Sequence, residues 1–176
     1  MTPDLLAQIS QEFDRLWAAL RSQQPPEIPI YVGARCYQTS AQSIPNVTFT
    51  PVNFNTVGHD SHNAVTTGPD WRYTCPIQGM YLVTTGVLFD VASWGSGTGA
   101  VLSLFRNGSR TSDLEHRTVY STSTIYLQIA GAAMVRCNRG DTLSVRVYHT
   151  RGSPTSTLTG EFHVHIAIAR IPGVYP

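Results

Sequence analysis

The chain has 176 residues, 41% of them apolar and only 13% charged, and its 12 basic and 11 acidic side chains leave a formal net charge of +1. That length suits one domain with a short appendage and is enough to bury a full core; the low charge speaks against a disordered chain or a helical bundle and for a compact β-rich body. The basic residues are scattered singly rather than in the stripe that phosphate contacts require, which speaks against nucleic-acid binding, and no stretch reaches the roughly 20 apolar residues of a membrane-spanning helix, so no membrane insertion is expected.

Residues 1–22 differ in pattern from everything after them. Leu6, Ile9, Phe13, Leu16 and Leu20 fall at spacings of 3, 4, 3 and 4, the seam of a short coiled coil. Asp4, after Pro3, marks a helix start, with its charge at the positive end of the helix dipole. Leu5 and Trp17 widen the stripe beyond a narrow seam. Such a helix either lies on its own domain or serves self-association or docking into a larger assembly. About two and a half heptads are too few to oligomerise alone, so it needs help from what it is attached to. The first residues carry no basic leader, and acids interrupt their apolar residues, so no signal peptide is expected.

The run "SQQPPEIP" then breaks the helix, and its prolines read as a semi-rigid spacer over residues 23–29. From residue 30 to 176 the chain reads as strands. "AVLSLF" (100–105) runs into Asn107-Gly108, a tight hairpin turn. "TLSVRVYH" (142–149) alternates, with Leu143, Val145 and Val147 on one face. "FHVHIAIARI" (162–171) is expected to alternate too, with Phe162, Val164, Ile166 and Ile168 opposite His163, His165, Ala167 and Ala169. Small side chains on that second face allow another surface to approach closely, and a neighbouring subunit is the simplest occupant. Eight to ten strands with turn residues between them predict an all-β sandwich or jelly roll.

The segment "TPVNFNTVGHDSHNAVTTGPDWRYTCPIQGMYLVTTGVLF" resembles the signature of the complement one-q globular-head family, relatives of tumour necrosis factor. Phe54, Gly68, Trp71, Tyr73, Cys75, Pro76, Gly79 and Tyr81 hold the places of that pattern. "LFRNGS", "VRCNRGDTLSVRV" and "GEFHVHIAIARI" resemble its later motifs in the same order, so the likeness covers residues 30–171. It implies a ten-stranded jelly-roll sandwich over residues 30–176, behind a short N-terminal amphipathic helix, that assembles as a homotrimer. "TCPIQGMY" is then the turn between two core strands, with Tyr81 packed inward. Trp71-Arg72-Tyr73 and Phe162-His163 depart from the family's usual residues.

Candidate chemistry is sparse. Cys36, Cys75 and Cys137 are too few for a disulfide scaffold, and no Cys-x-x-Cys pair exists. Arg139-Gly140-Asp141 is read as a turn before a strand, with Gly supplying the positive φ and Asp the cap. "GSGTG" (95–99) has no following Lys-Ser/Thr helix and is read as a flexible surface loop. His59, Asp60 and His62 share a turn-forming loop. His163 and His165 are the weak candidates for a metal or a pH response, because a three-fold axis through their face would gather imidazoles that titrate near pH 6.5. Otherwise no metal, no cofactor and no catalytic residue is expected, since hydrolase elbows, zinc-protease motifs and clustered acids are missing.

The expectation is therefore a non-enzymatic trimer. A short anchor plus head suits a bacteriophage virion surface component, made in the host cytoplasm and held to capsid or tail proteins by Leu6, Ile9, Phe13, Leu16 and Leu20. Capsid decoration or a head fibre fits such a short chain. The alternatives are a tail-tip or fibre receptor-binding protein that meets a host-surface glycan or protein, or a soluble ligand-binding trimer.

Overall fold

The computed structural model describes residues 3–22 and 31–173; the spacer at 23–29 lies outside the described residues. The chain divides into two compact units, Met1–Ile30 and Tyr31–Pro176. In the first, helix α1 spans Pro3–Ser22. Its residues Leu5, Ile9, Phe13, Leu16 and Leu20 are between 45% and 61% exposed, so the stripe is presented rather than buried. Phe13 and Trp17 pack edge to face at 6.3 Å along it. The side chain of Leu6 lies outside the described residues.

Among the described residues, fifteen strands make up the second unit. In chain order they are β1 (Gly33–Tyr37), β2 (Ser43–Ile44), β3 (Thr50–Pro51), β4 (Thr56–Asp60), β5 (Val65–Thr66), β6 (Arg72–Thr74), β7 (Gly79–Leu88) and β8 (Ala92–Trp94). They continue as β9 (Gly99–Arg106), β10 (Ser109–Thr118), β11 (Ser123–Ile125), β12 (Gln128–Cys137), β13 (Thr142–His149), β14 (Thr155–Ser156) and β15 (Val164–Ile171). Two five-strand runs, β12-β7-β15-β1-β4 and β10-β9-β13-β6-β5, supply the ten strands of the jelly-roll sandwich; β3 joins the second run, and the short pairs β11-β8 and β14-β2 stand apart.

Local chemistry explains the turns. Asn107 (φ 52°) and Gly108 (φ 78°) both sit in the left-handed region, as a two-residue hairpin between β9 and β10 requires. Asp141 closes the turn before β13 by accepting hydrogen bonds from Asn107 Nδ2 and the Asn138 amide, each at 2.8 Å. The Asn107 bond holds its carboxyl below the usual carboxylate range. The Arg139-Gly140-Asp141 tripeptide is thus a turn, with Gly140 at φ 89°. "GSGTG" is tied down rather than loose: the Gly97 amide bonds the Val119 carbonyl at 2.8 Å, and Ser96 Oγ bonds the Tyr120 carbonyl at 2.8 Å.

The core lies between the two sheets. Tyr81, Val83 and Val87 of β7, Ile129 of β12, and Val164, Ile166 and Ile168 of β15 meet Leu102 and Leu104 of β9 and Leu143, Val145 and Val147 of β13. Full burial of side chains this large contributes about 1.5–3 kcal/mol each. Phe54 and Trp71 contact edge to face at 5.0 Å, and Tyr73 and Tyr81 at 6.0 Å. Tyr81 satisfies its hydroxyl on the Ile77 carbonyl at 2.5 Å. The segment "TCPIQGMY" is therefore a turn between core strands, as the resemblance implies. Its Cys75 is fully buried, with its amide on the Asp141 carbonyl at 2.8 Å. The Cys75 thiol also hydrogen-bonds that of Cys137, a pairing the sequence spacing did not show; that bond and burial push the Cys75 thiol far above its usual range.

One element departs from expectation. The last strand starts at Val164, not Phe162. Gly160, at φ 108°, opens a turn in which the His163 and Val164 amides both bond the Gly160 carbonyl at 3.0 Å. Phe162 is consequently 79% exposed rather than in the core row.

A protonated, buried Cys75 is an inert small hydrophobe. Thiol labelling of the native protein should leave it unmodified. Denaturant melts should show Cys75→Ser destabilised by about 1–3 kcal/mol, because a hydroxyl there has only a weak sulfur partner, and Cys75→Ala by less. Rapid labelling, or a serine variant as stable as the parent, would contradict this packing.

Candidate functional site

The outward face of the β12-β7-β15-β1-β4 sheet is the part of the head whose side chains its own fold leaves least explained. The pairing registers set its rows. Met134, Leu82, Ala169 and Gly33 lie across one; Ala132, Thr84, Ala167, Arg35 and His59 across the next; Ala130, Gly86, His165, Tyr37 and Thr56 across the third. The middle of the face is made of alanine, glycine and threonine, and its flank carries Leu82 and Met134, the latter 64% exposed. An antiparallel sheet facing water normally shows charged and polar side chains on that side. This one shows a flat surface over which another backbone can pass closely.

Its charges are few, and Arg35 stands in the middle row on β1. Arg35 reaches Glu161 at 3.5 Å. Arg136, on the outward side of β12, is exposed. Two glycines serve close approach here. A Cβ at Gly33 would meet the Ile168 carbonyl at 2.3 Å, and one at Gly86 would meet the His165 ring at 3.2 Å, so Gly86 makes room for that imidazole to lie on the sheet.

The proposed interface residues divide. Ala167, Ala169 and His165 stand together on this face, half-buried. His163 does not join them: it lies in the turn before β15, exposed, with Nδ1 against the Thr159 carbonyl at 2.7 Å. Alternation from residue 162 placed both histidines on one strand face; the Gly160 turn removes His163 from the strand and so from that row. His165 Nδ1 is shielded from solvent and has no hydrogen-bond partner. Burial, and then the positive charge of Arg35, hold its pKa below the usual histidine value. Among the described residues no three His, Cys, Asp or Glu side chains of one chain converge as a metal site would need. His59 and Asp60 end β4 by pairing with β1 and do not share a loop with His62, which follows in the bend; Asp60 accepts hydrogen bonds from the amides of His62 and Val65 at 3.2 and 2.9 Å. Partial burial works to raise its pKa, but these backbone bonds outweigh it and the net shift is downward.

His149 escaped the reading from sequence. It continues the Leu143, Val145, Val147 row inward and is fully buried between Phe89 and Trp94, each ring 5.9 Å away. Its Nε2 bonds the Ile44 carbonyl at 3.0 Å. Desolvation lowers its pKa.

No family model matches the chain, and no curated protein matches it. Solved structures do. Eiger TNF from S. frugiperda superposes with a TM-score of 0.58 at 15% identity, over 83% of this chain and 96% of the other. Murine APRIL gives 0.55 at 17% identity, over 80% and 99%. The globular domain of zebrafish complement 1qA protein gives 0.54 at 14% identity, over 79% and 94%. Identities this low establish the fold: the head is a jelly roll of the tumour necrosis factor and complement one-q type.

The two buried histidines set the direction of the pH response. A free histidine takes up a proton near pH 6.5, whereas His149 and His165 resist doing so in the folded head. Below that pH the unfolded chain binds more protons, so stability present above pH 6.5 is lost as the pH falls. Urea melts should show stability declining from pH 6.5 to 5, and His165→Gln should flatten part of that decline while changing little at pH 7.5. A variant with the parent's pH dependence would show that His165 titrates normally.

Proposed function

We propose that the protein is a non-enzymatic homotrimer whose heads associate through the outward face of the five-stranded sheet. The observation that carries this is the composition of that face: Ala130, Ala132, Ala167 and Ala169 beside Leu82 and Met134, on a sheet whose other side is already the core. Obligate interfaces bury a few thousand Å² and are more apolar than the rest of a surface. The fold supports the same reading, since tumour necrosis factor and complement one-q heads are typically trimers that bind ligands or serve structure rather than catalyse.

The helix has a separate task in this reading. Ile9, Phe13, Leu16 and Leu20 present an apolar stripe too short to hold a trimer together by itself. It docks the trimer to a larger assembly, and the heads project from it. A virion surface, with the helix gripping capsid or tail proteins, is the assembly that fits a compact anchor-plus-head chain; this choice rests on analogy of architecture. Receptor binding at a tail tip, or soluble ligand binding, are the competing uses of the same trimer.

Light scattering should give three times the 19.3 kDa chain mass. Ala132→Arg and Ala167→Glu, which place charge in the middle of the face, should each yield folded monomer. A truncated chain beginning at Pro29 should remain trimeric and melt within a few degrees of the full chain, while losing attachment to its parent particle. A full chain that is monomeric at micromolar concentration would end the trimeric reading. Normal incorporation of the truncated chain would end the anchoring one.

A further inference from the structure

The opposite sheet carries a feature that association through the first leaves open to solvent. On β13, Thr142, Ser144 and Arg146 alternate with the core residues Leu143, Val145 and Val147 and so face outward. Together with Asp70, Arg72 and Gly108 they line a depression of about 170 Å³. The Arg146 guanidinium sits over the Phe105 ring, 4.3 Å from its centre. Phe105 is itself packed against Phe49 at 5.8 Å. The stack holds the cation in one place, yet Arg146 Nε is shielded from solvent and has no hydrogen-bond partner.

Two other arginines of the head are held by partners. Arg110 reaches both carboxylate oxygens of Asp113 through Nη2, at 2.5 and 2.6 Å. Arg151 donates to the carbonyls of Ser93 and Pro154 and to the Ser153 hydroxyl, at 2.8 to 2.9 Å. The Arg72 side chain, which also lines the depression, makes no hydrogen bond or ion pair with a described residue. An ordered guanidinium with free donors beside two hydroxyls is a receptor for a planar acceptor, and carboxylate is the group its fork matches bidentately.

We propose that this depression binds the carboxylate of an acidic sugar, a single uronic-acid-type unit, with Arg146 and Arg72 on the carboxylate and Thr142 and Ser144 on ring hydroxyls. Its volume lies below that of sites for drug-sized ligands and suits one ring rather than a chain. Asp70 on the rim decides between anions. Its negative charge opposes a dianionic sulfate or phosphate more than a monoanion, and it can accept a hydrogen bond from a sugar hydroxyl. The site lies on the sheet away from the proposed trimer face, so it does not depend on the trimeric reading.

The test is saturation-transfer NMR and competition on the full chain with sodium D-glucuronate, D-glucose, acetate and inorganic sulfate as probes. Glucuronate should give a saturable signal, with glucose and acetate each at least tenfold weaker and sulfate failing to displace it at equal concentration. Arg146→Gln should weaken glucuronate at least tenfold, Arg146→Lys less, and Arg72→Gln several-fold, with melting temperatures confirming that each variant folds. Should Arg146→Gln fail to fold, Ser144→Asp, which sets a carboxylate beside the guanidinium and leaves the stack intact, should abolish the signal. No saturable glucuronate signal, or equal affinity in the folded arginine variants, would overturn the site. Displacement by sulfate as effective as by glucuronate itself would overturn the sugar-acid assignment in favour of a generic anion pocket.

Discussion

The pairing of β15 between β7 and β1 is the constraint on which the head depends. Its residues bond Val164↔Val87 through Ile171↔Met80 on one side and Gly33↔Ala169 through Tyr37↔His165 on the other. Strand β15 thus joins the first strand of the head to its middle, and the five-stranded sheet cannot close until β15 is in place. Pairings this far apart in sequence carry a loop-closure cost before they return any stability, which makes such topologies slow to fold. Register is the other consequence. With a side-chain period of two, placing Val164, Ile166 and Ile168 in the core forces His165, Ala167 and Ala169 outward, and a slip of one residue would exchange the two sets. The same hydrogen bonds therefore build the core and compose the outward face proposed for association.

The two sheets present opposite kinds of surface. Across β12, β7 and β15 most outward side chains are small or apolar, with His165 and Arg136 as exceptions. On the β10–β9 side many of them are polar and paired with one another: Ser103 and Arg110 share the Asp113 carboxylate, and Arg117 pairs with Glu115 at 2.9 Å. Exposed pairs like these add little stability; their effect is to keep that sheet wetted. The trimeric reading and the proposed sugar-acid site assign a dry contact to the first surface and a small polar ligand to the second. Two histidines show the same division of environments. His149 is spent on the interior, its Nε2 on a backbone carbonyl between two aromatic rings, whereas His165 lies on the outward face of the five-stranded sheet with an unpartnered Nδ1. Burial lowers both pKa values, but only His165 belongs to a surface that a partner would cover.

Much of this was legible in the sequence, and it was the part that local pattern carries. Helix α1, the Asn107-Gly108 hairpin and the alternation of β13 each follow from a few neighbouring residues, because backbone period and turn chemistry act over that range, whereas the inward placement of Tyr81 was implied by the family resemblance. Tertiary structure decided the rest. Alternation carried back to residue 162 could not register the Gly160 turn, whose hydrogen bonds expose Phe162 and take His163 off the strand. The fourth inward position of β13 being a histidine was readable only once Ile44, Phe89 and Trp94 were known to surround it. Nothing in the chain order announces that Cys75 meets Cys137, or that Ala130 and Ala132 of β12 share a face with Ala167 and Ala169 of β15. Those meetings depend on β7 lying between the two strands, and strand neighbourhood is set by hydrogen bonds between residues far apart in the chain, which no local periodicity encodes.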